Sequence, residues 1–133
     1  MVGPLAVGID LVDIVRVERL LRRHPERALR RLLTEQEQNY CMARARPAQH
    51  VAARLAAKEA SYKALQQAGN ARGGGVGWLD SEVVLNAHGK PSLQLHGVAE
   101  RAASHLGVSS SIMSLTHSDS TAAAVVILLG EVT

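Results

Sequence analysis

The amino-acid sequence predicts an α+β fold, with helices packed on a largely antiparallel sheet, in a single domain spanning residues 1–133. Three observations carry that expectation. Short runs rich in branched apolar residues stand at both ends, Leu5 to Val12 at the start and Ser111 to Thr116 with Ala122 to Leu129 at the close, and their length and composition suit strands. Between them, residues 14–67 are dominated by helical periodicity. A strand-like run near Ser81 to Leu85 and an alternating run, Ser92 to His96, flank Asn86-Ala-His-Gly-Lys-Pro91, the pattern of a hairpin. At 133 residues, with 47% hydrophobic content, the chain has the material for one core.

Each element has a local reason. From Ile14 to Arg23, Val17, Leu20 and Leu21 form an apolar stripe and arginines take much of the remaining surface. Pro25 ends or restarts that helix, and Ala28, Leu29, Leu32 and Leu33 supply a second apolar face. Thr34 followed by Glu37 has capping-box spacing and marks a helix beginning near Glu35, which Pro47 is expected to close. Residues Val51 to Gln67 are Ala-rich and free of Gly and Pro, the strongest helical signal, with Gly69 as its stop. The run Gly69-Asn-Ala-Arg-Gly-Gly-Gly-Val-Gly77 is a loop. A short helix, Val98 to Leu106, ends at Gly107, and His117-Ser-Asp-Ser120 joins the last two strands.

Composition excludes several functions. The longest apolar stretch, Ala122 to Leu129, is too short to cross a bilayer, and the start Met1-Val2-Gly3-Pro4 lacks the basic head of a secretory signal; no membrane role and a cytoplasmic location are expected. The lone Cys41 permits no internal disulfide and no multi-thiolate zinc site, and reads as a packed thiol. The net charge of +3 conceals a crowd of arginines between Arg16 and Arg31 that favours an acidic partner. With no Phe, one Trp and two Tyr, little is left for stacking unpaired bases, so nucleic acid is not the expected partner.

The chemistry centres on two misplaced acids. Glu59 falls within or at the edge of the apolar stripe that runs from Val51 or Ala52 through Leu55 to Tyr62. A carboxylate there requires a cation, a hydrogen-bonded partner or a proton. One account is an ion pair with Lys63 at i+4. Asp10 stands inside a strand, and it either caps a turn at the strand end or joins Glu59. Two half-buried carboxylates from distant segments suit magnesium, which takes one or two protein carboxylates and completes its shell with water and phosphate. Lys58 and Lys63 beside them suit phosphate oxygens. Ser114-Leu-Thr-His117 ends a strand with a histidine, and Gly89-Lys90-Pro91 reads as a hairpin turn; each is weak alone.

Taken in order, Gly8-Ile-Asp10-Leu-Val-Asp13-Ile with Arg16, Thr34-x-x-Glu37, Arg54-Leu-Ala-Ala-Lys58-Glu59-Ala with Lys63-Ala-Leu65, Gly89-Lys90-Pro91 and Ser114-Leu-Thr-His117 resemble the holo-acyl-carrier-protein synthase family of 4'-phosphopantetheinyl transferases over nearly the whole chain. The resemblance implies transfer of 4'-phosphopantetheine from coenzyme A to a serine of an acidic acyl carrier protein, of fatty-acid or polyketide type, with Mg2+ as cofactor. It implies Asp10 and Glu59 as magnesium ligands and, with Lys63, the catalytic set. Lys58 and Lys63 then face the phosphates of coenzyme A, while Arg54, Gly89, Lys90, Pro91 and His117 surround its nucleotide end. Arg16, Arg19 and Arg23 match the carrier-docking helix, and a homotrimer with active sites between subunits is implied. Leu33 and Leu55 stand where relatives commonly carry Phe, and Ser118-Asp119 departs from the usual continuation after the histidine.

Two rivals stay beside this reading. A nucleotide diphosphate hydrolase would keep the metal and the ligand but use water as acceptor, and it has no need of the arginine-rich helix. A nucleic-acid-binding module would use that helix and leave Asp10 and Glu59 unexplained.

Overall fold

The computed structural model describes residues 1–69 and 76–133; most of the glycine-rich run read over 69–77 lies outside them. The described elements run β1 (Val2–Asp13), α1 (Ile14–Arg23), α2 (Pro25–Leu32), α3 (Glu35–Met42), α4 (Pro47–Ala68), a 3-10 turn (Trp78–Asp80), β2 (Ser81–Leu85), β3 (Pro91–Leu95), α5 (Gly97–His105), β4 (Val108–His117) and β5 (Thr121–Glu131). The strands form an antiparallel three-stranded sheet in the order β1-β5-β4 and a separate β2-β3 hairpin.

The sheet joins the two ends of the chain. Asp10 is opposite Ala124 and Val12 opposite Ala122, while on the other side of β5 Ala124 faces Leu115. Alternation along β5 is strict, with Ala122, Ala124, Val126, Leu128 and Gly130 buried and their neighbours half-buried. On β1 the inward positions are small, Ala6 and Gly8, because α4 lies directly over them. A Cβ on Gly8 would come within 1.8 Å of the Ala60 carbonyl oxygen, so this strand and helix touch backbone to backbone.

Helix α4 is the central post. Ala52, Ala56, Ala57, Ala60 and Ala64 are fully buried, and small side chains around its circumference let elements close on several sides. One flank packs with β1, β5, Val83 and α5; the other packs with Ile14, Val17, Leu33 and Cys41. Burial pushes the Cys41 thiol up to about 11, which leaves it protonated and inert, as a packed thiol should be.

Local signals set most boundaries. Thr34 and Glu37 form the reciprocal capping box that their spacing predicts. Pro47, expected to close α3, instead occupies the first turn of α4, where its missing N–H costs nothing, and α3 stops earlier at Met42. Pro25 does redirect the chain: His24 adopts φ −142 and ψ 63, outside the helical region, so the arginines beyond it leave the face of α1. The β2-β3 turn is held by the Asn86 side chain, which accepts from the backbone N–H groups of His88 and Lys90, with Gly89 at φ 79.

Candidate active site

Strand β1 delivers Asp10 and, at its end, Asp13 to the same cleft that receives Glu59 from helix α4. The cleft encloses about 650 Å³ and is bordered by Asp10, Asp13, Arg16, Arg19, Arg23, Glu59 and Trp78, over a floor that includes Val17, Leu20, Leu32 and Leu55. The two rival accounts of the acids resolve differently from their sequence-level forms. Asp10 caps no helix; Asp13 does, accepting from Val15 N–H at 3.0 Å at the start of α1. Lys63 pairs with Asp10 rather than with Glu59 four residues before it: Nζ donates to Asp10 Oδ1 at 2.9 Å and to the Ile9 carbonyl at 3.2 Å. The Asp10 hydrogen bond and charge raise the Lys63 pKa above its ordinary value, so Lys63 is a fixed cation beside Asp10.

The remaining sequence-predicted residues divide by place. Lys58 is turned inward, its side chain only 2% exposed; its ammonium donates to Glu37 Oε1 at 2.7 Å and to the Trp78 carbonyl at 2.6 Å. Burial pushes its pKa down, and the Glu37 charge and hydrogen bond offset this in part. Lys58 borders a second, smaller cleft of about 200 Å³, with Glu59, Tyr62, Gly77, Trp78 and Ser81. Arg54 is also buried, its guanidinium stacked 4.4 Å from the centre of the Tyr40 ring with Arg44 at the same separation. Among the described residues no carboxylate pairs with Arg54 within 4.0 Å, and its Nε has no partner. Burial, then the nearby Arg54, Arg44 and His117, lower the His50 pKa, which marks this end as electropositive. His117 is exposed at the end of β4, with Nδ1 2.8 Å from Gln49 Nε2. Gly89, Lys90 and Pro91 lie at the hairpin turn and border neither of these two clefts. Arg16, Arg19 and Arg23 share the cleft with the acids, whereas Arg27 and Arg31 border a separate groove with Leu20, His24 and Leu32.

The sequence reading did not single out Trp78 or the second role of Glu37. Trp78 is the only tryptophan and sits just past the glycine run, a position in the sequence that could have drawn attention to it. Glu37 reads locally as a cap, yet its Oε1 accepts from Thr34 N–H and its Oε2 from Val83 N–H as well as holding Lys58. Beside it, Thr34 Oγ1 donates to Glu82 Oε2 at 2.7 Å and His96 Nε2 lies 2.9 Å from Glu82 Oε1.

That last cluster carries a pH signature. Burial works against the Glu82 charge, but the Thr34 and His96 hydrogen bonds outweigh it and hold its pKa below the ordinary 4.5. The native state therefore binds fewer protons here than the unfolded chain, and the stabilisation is complete above about 4.5 and lost as pH falls through the lower native value. Glu82→Gln should be less stable than wild type at pH 7, with the gap narrowing below pH ~4.5 in urea titrations. A gap that stays constant down to acid unfolding would remove Glu82 from this role.

A family model described as the 4'-phosphopantetheinyl transferase superfamily matches residues 6–126. The chain belongs to that superfamily and is a phosphopantetheinyl transferase.

More particularly, it falls among the holo-[acyl-carrier-protein] synthases. The protein of that name from Geobacter sulfurreducens is 45% identical over 121 residues, covering 91% of this chain and 94% of its own. The one from Moorella thermoacetica is 43% identical over 127 residues, with 93% of each chain covered. Among solved structures, the Bacillus anthracis synthase in complex with CoA (3',5'-ADP) is similar at a TM-score of 0.74 and 32% identity, over 96% of this chain and 98% of that one. The Plasmodium yoelii synthase, at 20% identity, shares the fold with a TM-score of 0.82.

Proposed function

We propose that residues 1–133 act as one transferase domain that moves the 4'-phosphopantetheine arm of coenzyme A onto a serine of an apo acyl carrier protein, and that the cleft between β1, α1 and α4 is where it does so. For a chain of this family, the observation that carries the reading is the union in one cleft of Asp10 and Glu59 with Arg16, Arg19 and Arg23. A hydrolase would need the acids but not the arginine wall.

In the reaction, the serine oxygen bonds to the β-phosphorus of coenzyme A. The bond from that phosphorus to the bridging oxygen breaks, and the electron pair leaves with adenosine 3',5'-bisphosphate. Such transfers depend on positioning and charge neutralisation more than on covalent help from the protein. Lys63 supplies a cation beside Asp10 for the developing phosphate charge. Glu59 is this chain's candidate to receive the serine proton. The donor set suits magnesium: of the three carboxylates that border the cleft, Asp13 is engaged as the cap of α1 and leaves Asp10 and Glu59, and among the described residues no group of three or more His, Cys, Asp or Glu could enclose an ion unaided, so phosphate and water would complete the shell. Held by Asp10 and Glu59, magnesium would neutralise the diphosphate and polarise its oxygens. The electropositive end around Arg54, His50 and His117 suits the nucleotide phosphates, and Gly89, Lys90 and Pro91 belong to that end in the same reading.

The acidic carrier docks on the α1 arginines. The enzyme works as a homotrimer with active sites between subunits; support comes from the outer face of the three-stranded sheet, where Val7, Ile9, Leu11 and Ile112 are 49%, 64%, 66% and 55% exposed. A contiguous apolar face of this kind marks an interaction surface. No described helix is long and apolar enough to cross a membrane, and we assign the reaction to the cytoplasm.

One preparation tests these points. Incubated with apo carrier protein, coenzyme A and magnesium, it should increase the carrier mass by one phosphopantetheine; release of nucleotide with no mass gain would establish hydrolysis instead. Reversing Arg16 and Arg23 to Glu should raise the apparent carrier KM about tenfold, at roughly 0.2 to 1 kcal/mol per exposed pair plus the added repulsion, with coenzyme A binding nearly unchanged. Sedimentation velocity should show a trimer, and a monomer at assay concentration would refute that assembly.

A further inference from the structure

Lys58 borders the small cleft, yet its side chain is only 2% exposed and its ammonium is already engaged. Its ammonium is spent on Glu37, whose side chain is 0% exposed, and on the carbonyl of Trp78. Glu37 in turn accepts from Thr34 N–H at 2.9 Å and Val83 N–H at 2.9 Å. One buried ion pair therefore ties together the start of α3, the middle of α4, strand β2 and the turn that carries Trp78. The residue next to Lys58 is Glu59, and Glu59 and Trp78 are the two residues that border both the large cleft and the small one.

We propose that the Lys58–Glu37 pair is a positioning device that sets the partition between the two clefts, holding Trp78 against α4 beside Glu59, and that Lys58 is not a ligand of the coenzyme A phosphates. This rests on the transferase reading above and revises one residue of it. The physical argument is energetic. Freeing the ammonium for phosphate would strand the Glu37 carboxylate, buried and short of its counter-charge, and breaking a buried pair from one side is strongly unfavourable. Lys63 is half-exposed and its partner Asp10 borders the cleft, so its ammonium can turn toward phosphate without stranding a fully buried carboxylate. Among the described residues the turn is otherwise held by Gly77 N–H on Asp80 Oδ2 at 2.7 Å, Asp80 N–H on the Gly77 carbonyl at 3.1 Å and His96 N–H on the Asp80 carbonyl at 2.7 Å, none of which ties it to α4.

Because Trp78 is the sole tryptophan, its fluorescence reports the partition directly, without ligand. Lys58→Met and Glu37→Gln are compared with wild type by Trp emission and acrylamide quenching, by calorimetric binding of coenzyme A and by steady-state transfer. A positioning role predicts that both variants shift the emission and quench more readily. Both should lose kcat in parallel, by about tenfold to a hundredfold for a misplacement near 1 Å, while coenzyme A affinity changes little. Weaker coenzyme A binding in Lys58→Met alone, with unaltered emission, would make Lys58 a phosphate ligand and overturn the proposal; wild-type kcat and emission in both variants would overturn it equally. If Lys58→Met fails to fold, Glu37→Gln decides, since its side chain contacts no solvent and can act only through Lys58 and the backbone it holds. The emission readout needs no activity, so it stands apart from failure of the transferase reading, which the wild-type carrier assay reveals.

Discussion

Asp10→Asn and Glu59→Gln should each reduce transfer by at least about 100- to 1000-fold while leaving a folded protein, the scale expected when a preorganised charge is removed from a reacting centre. Both changes conserve shape, and neither residue anchors the core: Asp10 is half-buried at a cleft and Glu59 lies at the edge of the buried face of α4. The losses should resemble one another if the two acids serve one ion, since each alone would leave an incomplete ligand set. A second measurement is independent of turnover. Magnesium should raise the melting temperature of the wild type more than that of either variant, by mass action on the folded state. Near wild-type turnover at low magnesium in either variant would refute the shared site. Equal stabilisation of all three proteins would place the ion elsewhere.

Among the described glycines, Gly8→Ala brings the closest backbone clash and should be strongly damaging. Its Cβ would stand 1.8 Å from the Ala60 carbonyl oxygen, 2.7 Å from the carbonyl carbon and 3.0 Å from Ala64 N. These are backbone atoms of a buried helix and cannot rotate aside, so β1 and α4 must separate. Overpacking of this kind costs roughly 3 kcal/mol or more, which in a chain of this length lowers Tm by about 10 °C. Asp10 is two residues along the same strand, so activity should fall as well. Gly77→Ala is the control: among the described residues its added Cβ would meet Asp80 Oδ2 alone, at an ordinary 3.6 Å, and the melting temperature should hold. If Gly8→Ala melts within a degree or two of wild type, the strand and helix are not in this contact.

Local chemistry made much of this legible beforehand. The capping box at Thr34 and Glu37 involves only neighbours in sequence, and it formed as its spacing predicts. The hairpin about Gly89 and the glycine-ended α5 were readable for the same reason, because caps and turns are settled by atoms a few residues apart. Pro47 shows the limit of such signals. A proline is incompatible with the interior of a helix but welcome in its first turn, so the residue alone cannot say which helix it belongs to.

Ion pairing was decided at long range. From the helix alone, Glu59 and Lys63 at i+4 were partners; the fold brings β1 alongside, and Lys63 takes Asp10 instead. An exposed i+4 pair is worth only a few tenths of a kcal/mol, so a better-placed acid from another element readily displaces it. Lys58 likewise read as a free cation beside an acid until packing buried it on Glu37, 21 residues earlier in the chain. By itself the sequence determined the element types, the two acids that break an apolar pattern and the arginine face of α1, since periodicity and composition record those. Only the tertiary structure decided which cation answers which carboxylate, because that depends on which backbones can approach, and here the approach is set by Gly8 against Ala60.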